Sequence, residues 1–295
     1  MYYYYKLILI MMFFQTVANS MKRFPTRLYS KKSIPDSQYI RNIKSKHTFG
    51  ESEVNRFLYH NEYIKDKKLI SISPGGFKGF YVMGVCKFIK DNYNLDNYIF
   101  SGASAGAWNS LLLCFNRDID EIQNKIIDMT LQNTNKISDI EKRIKIKMLE
   151  NYQTSDFELR KLFIGVTTFD NYNYKTNTTI FTGFDSLEDA LDCCIASSHI
   201  PLVTGGFTNV YRDVLSFDGG FSKYPYLNTT KAALHITPRI WKKDSPNKPL
   251  PTMSINDYTT LFSKAQYKFS EMVEKGYNDS IINKKELDDI FDIKI

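Results

Sequence analysis

A chain of 295 residues with 43% apolar content supports one substantial core and leaves little room for a second domain. Its net charge of +7 is uneven: residues 1–50 hold nine Lys/Arg against one acid, Asp36, a net of +8, which leaves −1 for residues 51–295. A near-neutral body excludes a broad nucleic-acid footprint, whereas a basic leader is drawn to anionic surfaces such as lipid headgroups.

Within the leader, Leu7–Phe14 is an apolar run that follows Tyr2–Tyr5 and precedes Ala18, Asn19 and Ser20. It is short of the ~20 residues that span a bilayer. Small residues at 18 and 20 suit signal cleavage, and Met21–Ser33, basic and acid-free, resembles an organelle transit segment. Lys22, Arg23, Arg27, Lys31 and Lys32 follow the run, a charge order that keeps the body cytoplasmic. Membrane association with a cytoplasmic body is the expectation; secretion and organelle import stay open.

Lys68–Ser73 is apolar and β-branched and predicts a buried strand that ends at Gly75-Gly76. Next comes a helix from about Lys78 to Asp91, with Tyr81, Val82, Val85, Phe88 and Ile89 on one face. Paired glycines let a backbone approach a ligand and turn its amides inward. No G-x-x-x-x-G-K-[ST] or G-x-G-x-x-G pattern accompanies them, so a phosphate loop is the weaker reading. Asn97–Phe100 predicts a second strand and Ala105–Phe115 a buried helix. Ser104, flanked by Gly102 and Gly106, therefore occupies a strand-to-helix turn of the G-x-S-x-G type. The helix N-terminus behind it favours developing negative charge.

Farther on, Ser138–Asn151 reads as a charged helix, a solvated cover or a lid. Leu162–Thr167 and Thr178–Thr182 read as strands, and Glu188–Ile195 as a helix leading to Ile200-Pro201. Val214–Phe217 predicts a strand delivering Asp218, followed by Gly219 and Gly220. Strand ends of this kind converge on one crevice in an open α/β sheet. Helical spacing of Tyr258, Leu261, Phe262, Ala265, Phe269, Met272 and Val273 predicts an amphipathic helix from about Asp257 to Tyr277, one that packs on the sheet or, as the lesser reading, docks on lipid. Cys86, Cys114, Cys193 and Cys194 read as buried thiols, not as a disulfide framework.

Glycine loop, serine elbow and Asp-Gly-Gly box, in this order and spacing, resemble the patatin-like phospholipase family over about residues 67–238. Gly75, Gly76, Lys78 and Gly79 match its oxyanion loop, with Pro74 in place of the first glycine; Gly102, Ser104 and Gly106 match its elbow; Asp218, Gly219 and Gly220 match its aspartate box. Phe77–Val85, Gly102–Ala107 and Ala196–Pro201 look most like the adiponutrin and triglyceride-lipase branch. The resemblance implies a three-layer α/β/α fold with a mostly parallel sheet, and hydrolysis of fatty-acyl esters in membrane or lipid-droplet glycerolipids. It also implies a Ser104–Asp218 dyad, an oxyanion hole at Gly75, Gly76 and Phe77, and no cofactor or metal. Because Pro74 lacks an N–H, the donors shift to those three residues. A Ser104–Asp218–His235 triad is the formal alternative, and a catalytically idle lipid-binding relative is the alternative of another class. Trp108 lines the acyl channel or, more commonly for such a residue, packs in the core. The expected divisions are a leader at 1–50, a catalytic domain at 51–277 and a tail at 278–295, with oligomeric state left open.

Overall fold

Alternate residues along the central strands point to opposite faces, and both faces are apolar. Leu69, Ile99 and Phe163 look one way; their chain neighbours Ile70, Phe100 and Ile164 look the other. Period-two burial on both faces calls for a sheet covered twice. The computed structural model describes residues 34–41, 50–134, 136–170, 175–222, 224–229, 232–241 and 264–293. The strands are β1 (Tyr39–Arg41), β2 (Lys68–Ile72), β3 (Tyr98–Ala103), β4 (Leu162–Asp170), β5 (Lys175–Phe181), β6 (Asn209–Tyr211), β7 (Val214–Phe217) and β8 (Ala232–Ile236). They are ordered β1-β5-β4-β3-β2-β8, with β7 on β4 and β6 on β7.

The centre of the sheet is parallel: β8, β2, β3 and β4 run in one direction. On one face lie helices α2 (Gly79–Asn92), α3 (Ala105–Leu113) and α7 (Leu187–Ser197), which bury Val82, Val85, Leu111 and Leu191 in the larger core. On the other, α1 (Glu51–His60) contributes Phe57 to a smaller one. This is the expected three-layer α/β/α arrangement. Helices α4 (Ile119–Ile126), α5 (Met129–Asn133) and α6 (Ile137–Asn151) form a helical excursion between α3 and β4. The first two are capped by Asp118 and Asp128, which accept the N–H of Asp120 and Leu131. Cys86, Cys114, Cys193 and Cys194 are all buried and unbridged.

Three boundaries differ from the sequence expectation. Residues 34–41 belong to the fold rather than to a leader, because β1 pairs antiparallel with β5 along the sheet edge. Residues 1–33, with the apolar run and its competing readings, lie outside the described residues. The helix expected from Asp257 instead begins at Phe269 and runs to Ile282 as α8; residues 257–263 are not described. Local periodicity is overridden there by tertiary hydrogen bonds. Gln132 accepts the N–H of Phe269 at 2.9 Å and donates to the Tyr267 carbonyl at 3.0 Å, and Lys264 donates to the carbonyls of Gln132 and Thr134. Nor does α8 pack on the sheet: it crosses α2, with Gly84 and Gly276 at the contact. Finally, the expected tail is structured. After α9 (Lys284–Asp288), Phe291 stacks on Tyr93, and Tyr93 Oη donates to Asp288 at 2.8 Å.

Candidate active site

One edge of β4 organises the site. Its lower half pairs with parallel β3 as far as Ala103↔Gly165; its upper half pairs with antiparallel β7, starting at Thr167↔Phe217. The two strands run toward each other along that edge, so the residues that leave them, Ser104 and Asp218, meet beside Val166. Ser104 Oγ donates to Asp218 Oδ2 at 2.8 Å. Residues 114 positions apart are thus joined by the register of a single strand.

Ser104 has φ 54° and ψ −127°, a strained backbone state for a residue with a side chain. The turn needs close approach on both sides of it. A Cβ on Gly102 would collide with the Gly106 carbonyl, and one on Gly106 with the Ile72 carbonyl. The strain is held by a relay: Ser104 N–H donates to Ser197 Oγ at 2.8 Å, and Ser197 donates to the Gly165 carbonyl at 2.6 Å. Ser197 ends α7, whose opposite end is fixed by Ser186 as N-cap and by Asp189, which accepts from Arg212 at 2.6 Å and Tyr211 at 2.8 Å. Arg212 and Asp213, both with positive φ, make the two-residue turn of the β6–β7 hairpin. That hairpin and α7 therefore brace the two members of the pair as one unit.

Asp218 is fully buried. Its Oδ1 accepts the Gly220 N–H at 2.6 Å, its own N–H donates to the His199 carbonyl at 2.8 Å, and its carbonyl accepts from Thr167 at 2.9 Å. Gly219 is packed against the Gly165 carbonyl, where a Cβ has no room. Burial pushes the Asp218 carboxyl up to about 7, against the opposing pull of the Gly220 amide and the Ser104 hydroxyl. An aspartate held at that level is a usable general base near neutral pH.

Gly76 (φ 53°) and the short 3-10 turn Gly76–Lys78 bring the glycine loop to the same cavity. Gly76, Phe77 and Gly79 line it, together with Ser104, Ala105 and Asp218. Gly75 is set back, with a Cβ position 3.2 Å from Pro238. Two side chains fix this loop. Asn109, one turn past the elbow, donates to the Gly79 carbonyl at 3.1 Å and to the Ala105 carbonyl at 2.9 Å. From the other side, Phe269 at the start of α8 stacks on Phe80, with ring centroids 4.0 Å apart, and lies 5.5 Å from Phe77.

Behind Ser104 the cavity is apolar. Met83, Leu111, Leu112, Ile122, Ile126 and Ile127 form one wall, and Ile137, Ile140, Ile144 and Met148 of α6 the other. Helix α6 is therefore cavity wall, not the solvated cover its charges suggested: Lys142, Arg143 and Glu150 are exposed, whereas Glu141 is buried and lines the cavity. Trp108 both lines the cavity and packs on the larger core, with Nε1 donating to Ser198 at 2.9 Å. Asn109, Ser197 and the cavity-lining Glu141 had no signal in the sequence.

His235 takes no part in the Ser104–Asp218 hydrogen bond. It lies on β8 beside Ser71 of β2, with Nδ1 2.7 Å from Ser71 Oγ, and burial holds it down at about 4. His199 contributes its carbonyl to Asp218, and its buried ring is also held below the ordinary histidine range. Among the described residues no three His, Cys, Asp or Glu side chains form a metal-ligating group.

A serine–aspartate pair, an amide-rich loop and an apolar cavity are the parts that acyl transfer requires. Residues 70–228 match the family description Patatin-like phospholipase, more than half of the 295 residues. No individual curated protein matches the chain. The match contains the glycine loop, the elbow and the Asp-Gly-Gly box, and so all the elements that build the cavity around Ser104. The chain belongs to the patatin-like phospholipase family, a family of lipid acyl hydrolases.

Proposed function

We propose that the protein hydrolyses fatty-acyl esters of glycerolipids through a Ser104–Asp218 dyad. The observation that carries this reading is the 2.8 Å hydrogen bond between Ser104 Oγ and Asp218 Oδ2 at the mouth of an apolar cavity that suits an acyl chain. Ser104 Oγ attacks the ester carbonyl as its proton passes to Asp218. The oxyanion is received by the amides of Gly76 and Phe77, which line the cavity, and by the first turn of α3, with Gly75, set back toward Pro238, shaping the loop behind them. Asp218 then returns the proton to the departing alcohol, leaving an acyl-Ser104 ester. Water gives a proton to Asp218 and attacks that ester; collapse releases the fatty acid and the proton goes back to Ser104.

Lys78, Gly79, Gly102, Gly106, Gly219 and Gly220 act through the backbone shape of the loop, elbow and box. Kinship with the adiponutrin and triglyceride-lipase branch rests on Phe77–Val85, Gly102–Ala107 and Ala196–Pro201 and belongs to the same proposal. So does work at a membrane or lipid-droplet surface with a cytoplasmic body. Among the described residues no helix is long and apolar enough to cross a membrane. In this proposal surface attachment rests on the positive charge of the basic leader. Assayed on mixed phospholipid and acylglycerol emulsions, Ser104→Ala and Asp218→Ala should each lose about 10³-fold or more in rate. His235→Ala should stay within a few-fold. A loss of about 10³-fold in His235→Ala would replace the dyad with a triad, and a folded wild-type protein inert on every ester would end the hydrolase reading.

A further inference from the structure

The cavity contains one ionisable side chain that the proposed chemistry does not use. Glu141 of α6 is only 9% exposed, yet it lines the same cavity as Ser104 and Asp218. Its helix neighbours on that wall, Ile137, Ile140, Ile144 and Met148, are all apolar. A buried glutamate among isoleucines is costly unless it is neutral and hydrogen-bonded. Desolvation, then the charge of Asp218, holds its carboxyl well above the ordinary glutamate range, which favours the protonated form, and that form has a proton to donate.

Ser198 is its neighbour within hydrogen-bonding reach. The serine spends its own proton on the Cys194 carbonyl at 2.9 Å and accepts from Trp108 Nε1 at 2.9 Å. A second lone pair remains on Ser198 Oγ, open to a protonated Glu141. The carbonyl oxygen of the acid is then an acceptor in an otherwise greasy wall. Trp108 lies one helical turn beyond Ser104, and Ser198 adjoins His199, whose carbonyl holds Asp218. This polar spot thus shares one cavity with Ser104 and Asp218.

From this placement, and resting on the acyl-hydrolase reading above, we infer that Glu141 is a specificity-determining residue that selects fatty-acyl chains bearing a hydroxyl within the first several carbons of the ester. A hydroxyl there pairs with the carboxyl, whereas a plain methylene chain desolvates the carboxyl and offers nothing in return.

The test uses the full-length protein and 4-methylumbelliferyl esters of dodecanoic acid and of its monohydroxy analogues, with the hydroxyl moved along the chain and each rate divided by its uncatalysed rate. Wild type should favour one hydroxyl position over the plain ester by about tenfold or more in kcat/KM. Glu141→Leu should bring that ratio to within about twofold of unity, and Glu141→Gln, which keeps an acceptor, should retain much of it. The inference is overturned by a flat wild-type series, or by a preference that survives unchanged in Glu141→Leu. Should the leucine variant not fold, the wild-type series and Glu141→Gln decide alone: Gln keeping a tenfold preference supports the inference, and a flat series sinks it. Labelling of Ser104 by a fluorophosphonate separates the two levels. Labelled enzyme without a hydroxyl preference loses only the role of Glu141; folded protein that neither labels nor turns over any ester loses the parent reading as well.

Discussion

At Asp218 a single environment does two opposed things. Removal from water makes the carboxylate costly, and the Gly220 amide and Ser104 hydroxyl restore part of its stability. Desolvation wins, so the group titrates at about 7 instead of near ~3.9. A base must be ionised to accept the serine proton, so kcat/KM should climb about tenfold per pH unit below neutrality and level off above it. A pH series on a soluble ester from 5 to 9 checks this; a flat profile down to pH 5 would mean that burial does not govern the base. The same raised value lets the folded state hold a proton that the unfolded chain has released between about pH 4 and 7, so ionisation of Asp218 lowers stability as pH rises through that window. Ser104, Asp218 and their glycines were legible in the sequence because local backbone demands fix them: a strained elbow tolerates only glycine beside it, and a strand-end aspartate needs a turn. Asn109, Ser197 and Glu141 were not legible. Their roles arise from contacts with Gly79, Ser104 and the cavity, which no local spacing encodes.

Elements show the same division. Strands and buried helices of the centre were read correctly because burial on both faces leaves a plain apolar signature. Helix α8 was misplaced at its start, since hydrogen bonds to Gln132 and from Lys264 decide where it begins. Its crossing with α2 was also invisible, although it depends on two glycines. A Cβ on Gly276 would collide with the Tyr81 carbonyl, and one on Gly84 with the Val273 carbonyl. Alanine at 276 gains up to ~1 kcal/mol of helix propensity but drives two backbones apart, at a cost on the order of 1–3 kcal/mol. The steric effect is the larger, so Gly276→Ala should lower the midpoint of urea unfolding, and a midpoint equal to or above wild type would contradict the close crossing. Activity should fall with it, because α2 begins at Gly79 and α8 holds Phe77 and Phe80: the helix pair that packs here also carries the glycine loop.

Across the whole molecule, the decisive feature is that β4 shares one edge between two strands of opposite direction. The sequence predicted strands and a crevice, but strand direction and register are set by which faces find partners in three dimensions, and these placed the serine against the carboxylate. The surrounding elements converge on that meeting point: α7 and the β6–β7 hairpin brace it, Phe269 of α8 packs on Phe77 of the glycine loop and on Phe80, and α6 closes the greasy wall. The most direct measurement is intact-mass and peptide mapping after treatment with a long-chain alkyl fluorophosphonate. One adduct per chain, on the peptide containing Ser104 and slowed strongly in Asp218→Asn, is the expected result. A folded protein that stays unmodified, or is modified at another residue, would contradict the account.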